Sequence, residues 1–292
     1  MRIGIFAKVI KSEFHFNLIK DILNFIESQG AKLLIQEQLY NELKRFNFPS
    51  ENYTCFITVN QINPEIDYLI TIGGDGTILD SVEIIHQSGV PLIGLNTGRL
   101  GFLANVSIEH LKQAFNELSK GSFLLDKRSL LELHSHEQLF DFQFALNDFV
   151  LHKKETSSMI IVHAFLNGEP LNSYWADGLI VSTPTGSSGY SLSCGGPILF
   201  PKTSSFVITP IAPHHLNVRP VIVPDDQVLS FEIEGRSNNF LASLDSRSTT
   251  IQKGAQIAIR KADFQINLVR FTNNTYLSTL REKMLWGSDL RN

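Results

Sequence analysis

"IDYLITIGGDGTILDSVEIIHQSGVPLIGL" (residues 66–95) decides the fold. An apolar run suited to a buried strand (66–72) meets three glycines around an aspartate. A helical stretch (77–88) and a second apolar run (91–95) follow. Strand, turn, helix and strand in that order predict a parallel pair joined by a crossover helix. The turn falls at the carboxyl end of a strand, where open α/β sheets place their ligands and the free N–H groups of a helix start attract anions. Gly73, Gly74 and Gly76 let a phosphate chain approach the backbone closely, and Thr77 adds a hydroxyl. Asp75 is the oddity, because a carboxylate weakens simple anion binding. It has either a chemical task or the ordinary one of capping the helix behind it.

The same rhythm extends upstream. "RIGIFA" (2–7) reads as a buried strand, and "FHFNLIKDILNFIESQG" (14–30) repeats apolar residues at helical spacing up to Gly30, a natural residue to follow a helix. "KLLIQ" (32–36) reads as a second strand, whereas 38–50 is ambiguous. Downstream, Ser107 is placed to cap a helix over "IEHLKQAFNELSKG", closed by Gly121. Beyond residue 120 the pattern becomes short β-type runs divided by Gly, Pro, Asn and Asp, with "NGE" (167–169) as a hairpin signal. A last helix over "TYLSTLREKMLW" (275–286) is expected to pack on the first domain. The expectation is an α/β domain with a Rossmann-like parallel sheet (1–120), a mostly β, sandwich-like domain (121–270) and a returning helix (271–292).

The bulk numbers bound the class. The chain has 292 residues, 43% hydrophobic and 18% charged, which suits one large or two ordinary globular domains. No apolar stretch reaches the roughly 18 residues of a membrane span. "MRIGIFAKVIK" reads as a first core strand rather than a signal peptide. A net charge of −4 without a long basic block argues against a nucleic-acid partner. Cys55 and Cys194 form neither a disulfide framework nor a metal motif, and a cytoplasmic setting is expected.

Three further stretches could carry chemistry. "NTGRLGFLANV" (96–106) puts Gly98 and Gly101 beyond the next parallel strand, as a tight reversal or a ligand loop. "ALNDFVLHK" places Asn147 and Asp148 inside an apolar β-like segment, where such a pair is costly without partners. It marks either a bulge or a pair of groups aimed at a ligand. "WADGLIVSTPTGSSGYSLSCGGPIL" (175–199) offers Asp177, a run of hydroxyls, glycines and Tyr190, which suits a sugar or nucleobase as well as a solvated turn. GxxxxGK[ST] is absent, and no GxGxxG follows the first strand, so the P-loop and the usual dinucleotide fingerprint are excluded. Ser187 does not sit in a GxSxG elbow. His134, His136, His214 and His215 lack a third ligand in sequence context, and no metal-ligating set is assigned. Asp225–Asp226 reads as a turn.

Together these stretches resemble the bacterial-type NAD kinases. The resemblance is carried by "GGDGT" (73–77), "NTGRLGFLA" (96–104), "ND" (147–148), "ADGLIVSTPTGSSGYSLSCGGP" (176–197), "PHHLNVRPVIVP" (213–224) and the closing "TLREKMLWG" (279–287). "GGDGT" alone is weakly specific, since diacylglycerol- and sphingosine-type lipid kinases share it and phosphofructokinases carry a close variant. The long motif after Asp177 is far more specific.

The resemblance implies transfer of a phosphoryl group from ATP to the 2′-hydroxyl of the adenosine ribose of NAD, with a divalent cation, Mg²⁺, held mainly through substrate phosphates. It implies that Asp75 is the base, that Asp75 and Gly76 touch the reacting ribose, and that Gly73, Gly74, Gly76 and Thr77 meet phosphates. Asn147 and Asp148 would bind the adenine side, and Asp177 with Ala176 the nicotinamide portion. Ser188, Gly189, Tyr190, Ser191, Leu192 and Ser193 would enclose the dinucleotide. Three stretches depart from the family pattern: Asp148 where it often has Glu, Ser188-Gly189 where it usually has Thr-Ala, and Asp245-Ser246-Arg247 where it is nearer Asp-Gly-Gln. At the last, Arg247 is a candidate phosphate or dinucleotide contact. A homo-oligomer, a tetramer, is also implied. Polyphosphate is an alternative donor. The competing functions are a lipid kinase of the diacylglycerol type and a non-enzymatic NAD(P) sensor.

Overall fold

The computed structural model describes residues 1–61, 66–98, 101–154, 159–271 and 275–286. Arg99 and Leu100 of the second glycine turn, and Gly287 of the closing stretch, lie outside the described residues. The chain divides into two compact units, one of residues 1–127 with 266–292, the other of residues 128–265.

Unit 1 begins β1 (Arg2–Phe6), α1 (Glu13–Ser28), β2 (Lys32–Gln36), α2 (Glu37–Arg45), β3 (Thr54–Phe56), β4 (Tyr68–Ile72), α3 (Asp75–Ile85), β5 (Leu92–Asn96), β6 (Val106–Ser107), α4 (Leu111–Ser119) and β7 (Phe123–Ser135). The strands pair in parallel in the order β3-β2-β1-β4-β5, with β6 beyond β5. The chain thus steps outward from β1 to β3 and then starts again on the other side of β1 with β4. That reversal opens a crevice at the carboxyl ends of β1 and β4, and the glycine turn leaves β4 there. Ile3, Ile5, Ile70, Ile72, Ile93 and Leu95 fill the core against Ile19, Ile22, Leu23 and Ile26 of α1.

The helix ends follow local chemistry. Ser12 caps α1 by accepting the His15 N–H at 3.2 Å, and Gly30 leaves the helix at φ 76°. The ambiguous stretch after residue 36 is α2, which buries only Leu39 and Leu43. Ser107 does not cap its helix, contrary to the sequence expectation. Its hydroxyl pairs with the His110 ring at 2.7 Å, and a short 3₁₀ turn (Ile108–His110) precedes α4.

Unit 2 continues with β7 and holds β8 (Phe144–Ala145), β9 (Asp148–Lys153), β10 (Ile160–Leu166), β11 (Glu169–Ala176), β12 (Gly178–Ser182), the single turn α5 (Tyr190–Ser193), β13 (Ser205–Ile211), β14 (Val221–Pro224), β15 (Leu229–Glu234), β16 (Asn239–Leu244), β17 (Arg247–Gln252) and β18 (Ile257–Phe271). One antiparallel sheet runs β14-β13-β12-β9-β16-β17, and the second runs β11-β10-β15 into the first half of β18. Their inner faces share one core, including Phe149, Val181, Phe206, Val162, Phe231 and Phe240, so this unit is a β-sandwich. Asn167 and Gly168, both at positive φ, close the β10–β11 hairpin as the "NGE" signal predicts. Asp225, read as a turn residue, is buried there and ion-paired with Lys261 at 2.8 Å.

The end of β18, from Ile266, and α6 (Tyr276–Met284) belong to unit 1, where Val269 and Phe271 enter the core. The division falls at 127/128 and 265/266 rather than at 120/121 and 270/271. The change of rhythm at Gly121 marks the end of α4, and β7 then runs unbroken through the boundary.

Candidate active site

In unit 1 the glycine turn is built around Asp75. Helix α3 begins at Asp75 itself, two residues earlier than its periodicity suggests, with Gly74 in the cap position and no side chain capping it. A cap role for Asp75 is therefore ruled out. Its carboxylate turns away from its own helix and accepts the N–H groups of Phe102 at 2.8 Å, Leu103 at 3.0 Å and Ala104 at 2.9 Å. Two of these bonds fall on Oδ1 and one on Oδ2.

The second glycine turn has to come very close for this. A Cβ at Gly101 would lie 1.8 Å from Asp75 Oδ1, so no other residue fits without moving the carboxylate. Asn96 braces the same segment, accepting the Gly98 N–H at 2.7 Å. Gly74 and Gly76 are different: a Cβ at either would meet nothing within 4 Å. Open space thus lies before the first turn of α3, where the Thr77 N–H already reaches the Gly74 carbonyl at 3.0 Å. Thr77 instead packs under the turn, where a Cβ at Gly73 would come within 2.2 Å of its hydroxyl.

In unit 2 the polar pair sits at the break between β8 and β9. Backbone carbonyls face one way: Asn147 O accepts from Thr183 N at 2.8 Å, and Leu146 O from the Thr183 hydroxyl at 2.5 Å. Gly186 presses on the same turn, where a Cβ would stand 2.2 Å from Asn147 O. The Asn147 side-chain oxygen is buried with no hydrogen-bond partner. A buried acceptor without a partner costs about 1–3 kcal/mol, so it marks a place where a ligand donor would be welcome.

Asp148 is 7% exposed, and burial followed by the nearby Asp245 carboxylate pushes its carboxyl up to about 7. Tyr190 exposes 43% of its surface at the start of α5. Its phenol is raised above the usual value by burial first, then by Cys194 and Asp148. Asp177, at the β11–β12 corner, pairs with Lys153 at 2.6 Å.

The hydroxyl-rich stretch is an internal brace more than a solvated loop. Ser187 is fully buried, accepting the Leu199 N–H at 2.9 Å, and the buried Ser191 hydroxyl pairs with Thr209 at 2.8 Å. Ala176 is also fully buried. Ser188, Gly189 and Leu192 are half-buried, whereas Ser193 is exposed. Arg247, a candidate phosphate contact, has its guanidinium on the carbonyls of Phe142 and Phe144, with its centre 5.1 Å from the Phe142 ring centroid.

Two features escape a sequence reading. One is the row of amides at 102–104 that holds Asp75. The other is Asp245, which accepts the N–H groups of Leu146 and Asn147 at 2.8 Å and of Asp148 at 3.2 Å. A signal for the second existed, since Asp245 stands at φ 51° in the two-residue β16–β17 turn, a conformation that Asp tolerates better than most. The partners of both carboxylates lie far along the chain, where no spacing rule reaches. Among the described residues no three His, Cys, Asp or Glu side chains are grouped to hold a metal ion.

Comparison with known proteins bears on what these parts do. Residues 3–123 match the ATP-NAD kinase N-terminal domain and residues 146–271 the ATP-NAD kinase C-terminal domain. The chain is 49% identical over 275 residues to the NAD kinase of Cytophaga hutchinsonii, covering 94% of each. It is 43% identical over 295 residues to that of Flavobacterium johnsoniae, covering both in full. Its fold matches the yeast NADH kinase complexed with NADH at a TM-score of 0.87 and 24% identity, over 100% of this chain and 89% of that one. The NAD kinase of Archaeoglobus fulgidus in complex with ATP gives a TM-score of 0.73 at 23% identity, over 98% and 99% of the two chains.

Proposed function

The chain belongs to the NAD kinase family, and on that premise we propose that it phosphorylates the 2′-hydroxyl of the adenosine ribose of NAD with ATP, giving NADP and ADP. The observation that carries the mechanism is the clamped Asp75. An ionised carboxylate has about four lone-pair positions. Three are occupied by the amides of residues 102–104, which leaves one acceptor position, on Oδ2. The carboxylate is thus fixed in orientation and still able to take one proton.

In this reading the ribose 2′-oxygen attacks the terminal phosphorus of ATP, the bond to the bridging oxygen breaks and ADP leaves. The 2′-hydroxyl proton passes to the free position on Asp75. A positioned carboxylate base contributes about 10²–10⁴ in rate. Because the transition state is loose, alignment and charge neutralisation supply much of the rest. The uncapped first turn of α3 and the open space before Gly74 and Gly76 suit the donor phosphates. A divalent cation, Mg²⁺, is assigned to the donor phosphates, whose charge it would offset, since no ligand set is grouped for it among the described residues.

Dinucleotide recognition is assigned to unit 2: the unpartnered Asn147 oxygen and Asp148 for the adenosine, the exposed Tyr190 ring for stacking, and Asp177 for the nicotinamide amide. Ser188, Gly189, Leu192 and Ser193 line the approach, with Ala176 and Ser191 as buried supports. Arg247 belongs to this set as a brace of the 142–144 backbone. A cytoplasmic homo-tetramer completes the reading, on the strength of the resemblance, and light scattering of the purified protein tests the subunit number. The lipid-kinase and sensor readings gain nothing from the relatives.

The test is a coupled assay for NADP formed from NAD, ATP and Mg²⁺, with Asp75→Asn alongside. NADP from the wild type and a loss of at least about 100-fold in the variant, with NAD still bound, supports the assignment. Equal turnover by both would remove Asp75 from the chemistry. NADP formed from polyphosphate in place of ATP would change the donor only.

A further inference from the structure

Two carboxylates are packed against one turn in unit 2, and the phosphoryl transfer uses neither. The Asp245 carboxylate accepts three consecutive N–H groups, of Leu146, Asn147 and Asp148, and its own N–H returns to the Asp148 carbonyl at 3.0 Å. Arg247, two residues on, holds the carbonyls of Phe142 and Phe144. The hairpin Asp245–Arg247 therefore grips the strand leading into the ligand-facing turn from its carbonyl side and its amide side. Burial raises the Asp245 carboxyl, and three donors with a nearby guanidinium pull it back toward the ionised form.

Asp148 has no such support. It is buried, no donor among the described residues reaches its carboxyl, and the charge beside it is that of Asp245. Strand β12 places Ser182 opposite, its hydroxyl on the carbonyls of Asn147 and Thr183. Helix α5 brings the Tyr190 phenol, with Cys194 beside it. The β16–β17 turn brings Asp245 with Arg247, and at the far end of β9 Lys153 is engaged by Asp177. Among the described residues no cation pairs with Asp148.

We infer that Asp245 is a positioning residue that fixes the Asn147–Asp148 turn and, adding its charge to the burial of Asp148, keeps Asp148 protonated until ligand arrives, so that Asp148 meets the dinucleotide as an O–H donor. The inference rests on the assignment of unit 2 to NAD. An ionised carboxylate only accepts hydrogen bonds, whereas the neutral acid can donate to a purine ring nitrogen or a ribose oxygen. The short Asp side chain, where the family pattern has Glu, keeps the carboxyl beside Asp245. Both carboxyls are raised, and the three amides on Asp245 make it the one that ionises first.

The test is calorimetric binding of NAD from about pH 5.5 to about pH 8.5. In the wild type, Kd should rise toward tenfold per pH unit above the Asp148 midpoint, with proton uptake on binding approaching one on the alkaline side. Asp148→Asn carries an N–H donor at every pH, so its Kd should be flat, with no proton uptake, and should cross below the wild-type value at alkaline pH. A flat wild-type Kd without proton uptake overturns the inference, and so does an Asp148→Asn variant that loses binding at every pH. Carboxyl ¹³C titration of the ligand-free protein reads the same pair without any nucleotide. An Asp148 midpoint near neutrality, moving down in Asp245→Asn, supports it, and one near the ordinary value of about 4 overturns it. A wild type that binds no NAD but shows the neutral midpoint would remove the substrate assignment and leave the proton pair standing.

Discussion

Asp75 illustrates how a residue's neighbours decide what a substitution tests. Truncation to Ala would orphan three N–H groups at once, each costing about 1–3 kcal/mol, and would confuse lost stability with lost chemistry. Asp75→Asn keeps an oxygen for Leu103 and Ala104 and turns an NH₂ toward Phe102, so its stability cost is expected to be about 1–2 kcal/mol. Turnover should fall by about 10²–10⁴ while NAD affinity changes little. A melting curve and a steady-state assay on the same sample separate the two effects. If turnover fell only in proportion to the folded fraction, Asp75 would be a brace and nothing more. Asp245 presents the same geometry in unit 2: one carboxylate, three consecutive amides.

At the scale of elements, the parallel strands β1, β2, β4 and β5 were legible because each is a short apolar run closed by turn residues, and Lys32–Gln36 has the bounds its pattern predicts, whereas the three-residue β3, with two exposed positions, was not. Helix α2 was not, because its polar surface is broken by only two buried leucines. The candidate site was legible as a set of motifs, since glycines and paired polar residues stand out against apolar strands. Its internal wiring was hidden. The amides that hold Asp75 lie 27 to 29 residues away, and Asp245 reaches 97 to 99 residues back. Those contacts depend on how close two turns come, which is a property of packing and not of spacing. Gly186 measures that closeness. Gly186→Ala would drive a methyl into the Asn147 carbonyl, a backbone atom that cannot swing aside. We expect a loss of about 1–3 kcal/mol in stability and weaker NAD binding, read by thermal melting and calorimetry. An unchanged melting point with normal binding would show that the turn has slack.

For the whole molecule, the Asp148–Asp245 acid pair sets a pH dependence of stability. Both carboxyls are raised on folding, so the folded chain binds more protons than the unfolded one across the interval between their ordinary and raised values. Their contribution is therefore fully present below about pH 4 and is lost as pH rises through about 6 to 7. Asp148→Asn removes one term, and its melting temperature relative to wild type should be higher at about pH 8 than at about pH 5, by about 2 °C or more. A gap independent of pH would show that Asp148 does not titrate in the folded chain.

The two units also differ in how their residues are strung. Unit 2 is one continuous segment, whereas unit 1 needs Val269, Phe271 and Leu280 from beyond it to complete its interior. A chain emerging from the ribosome thus delivers most of unit 1 first yet cannot close it until unit 2 has been made. The half whose synthesis begins first is the last to have all of its residues. In the interval its parallel strands lack their final neighbour, so the nascent chain passes through a stage in which chaperone capture and aggregation compete with folding.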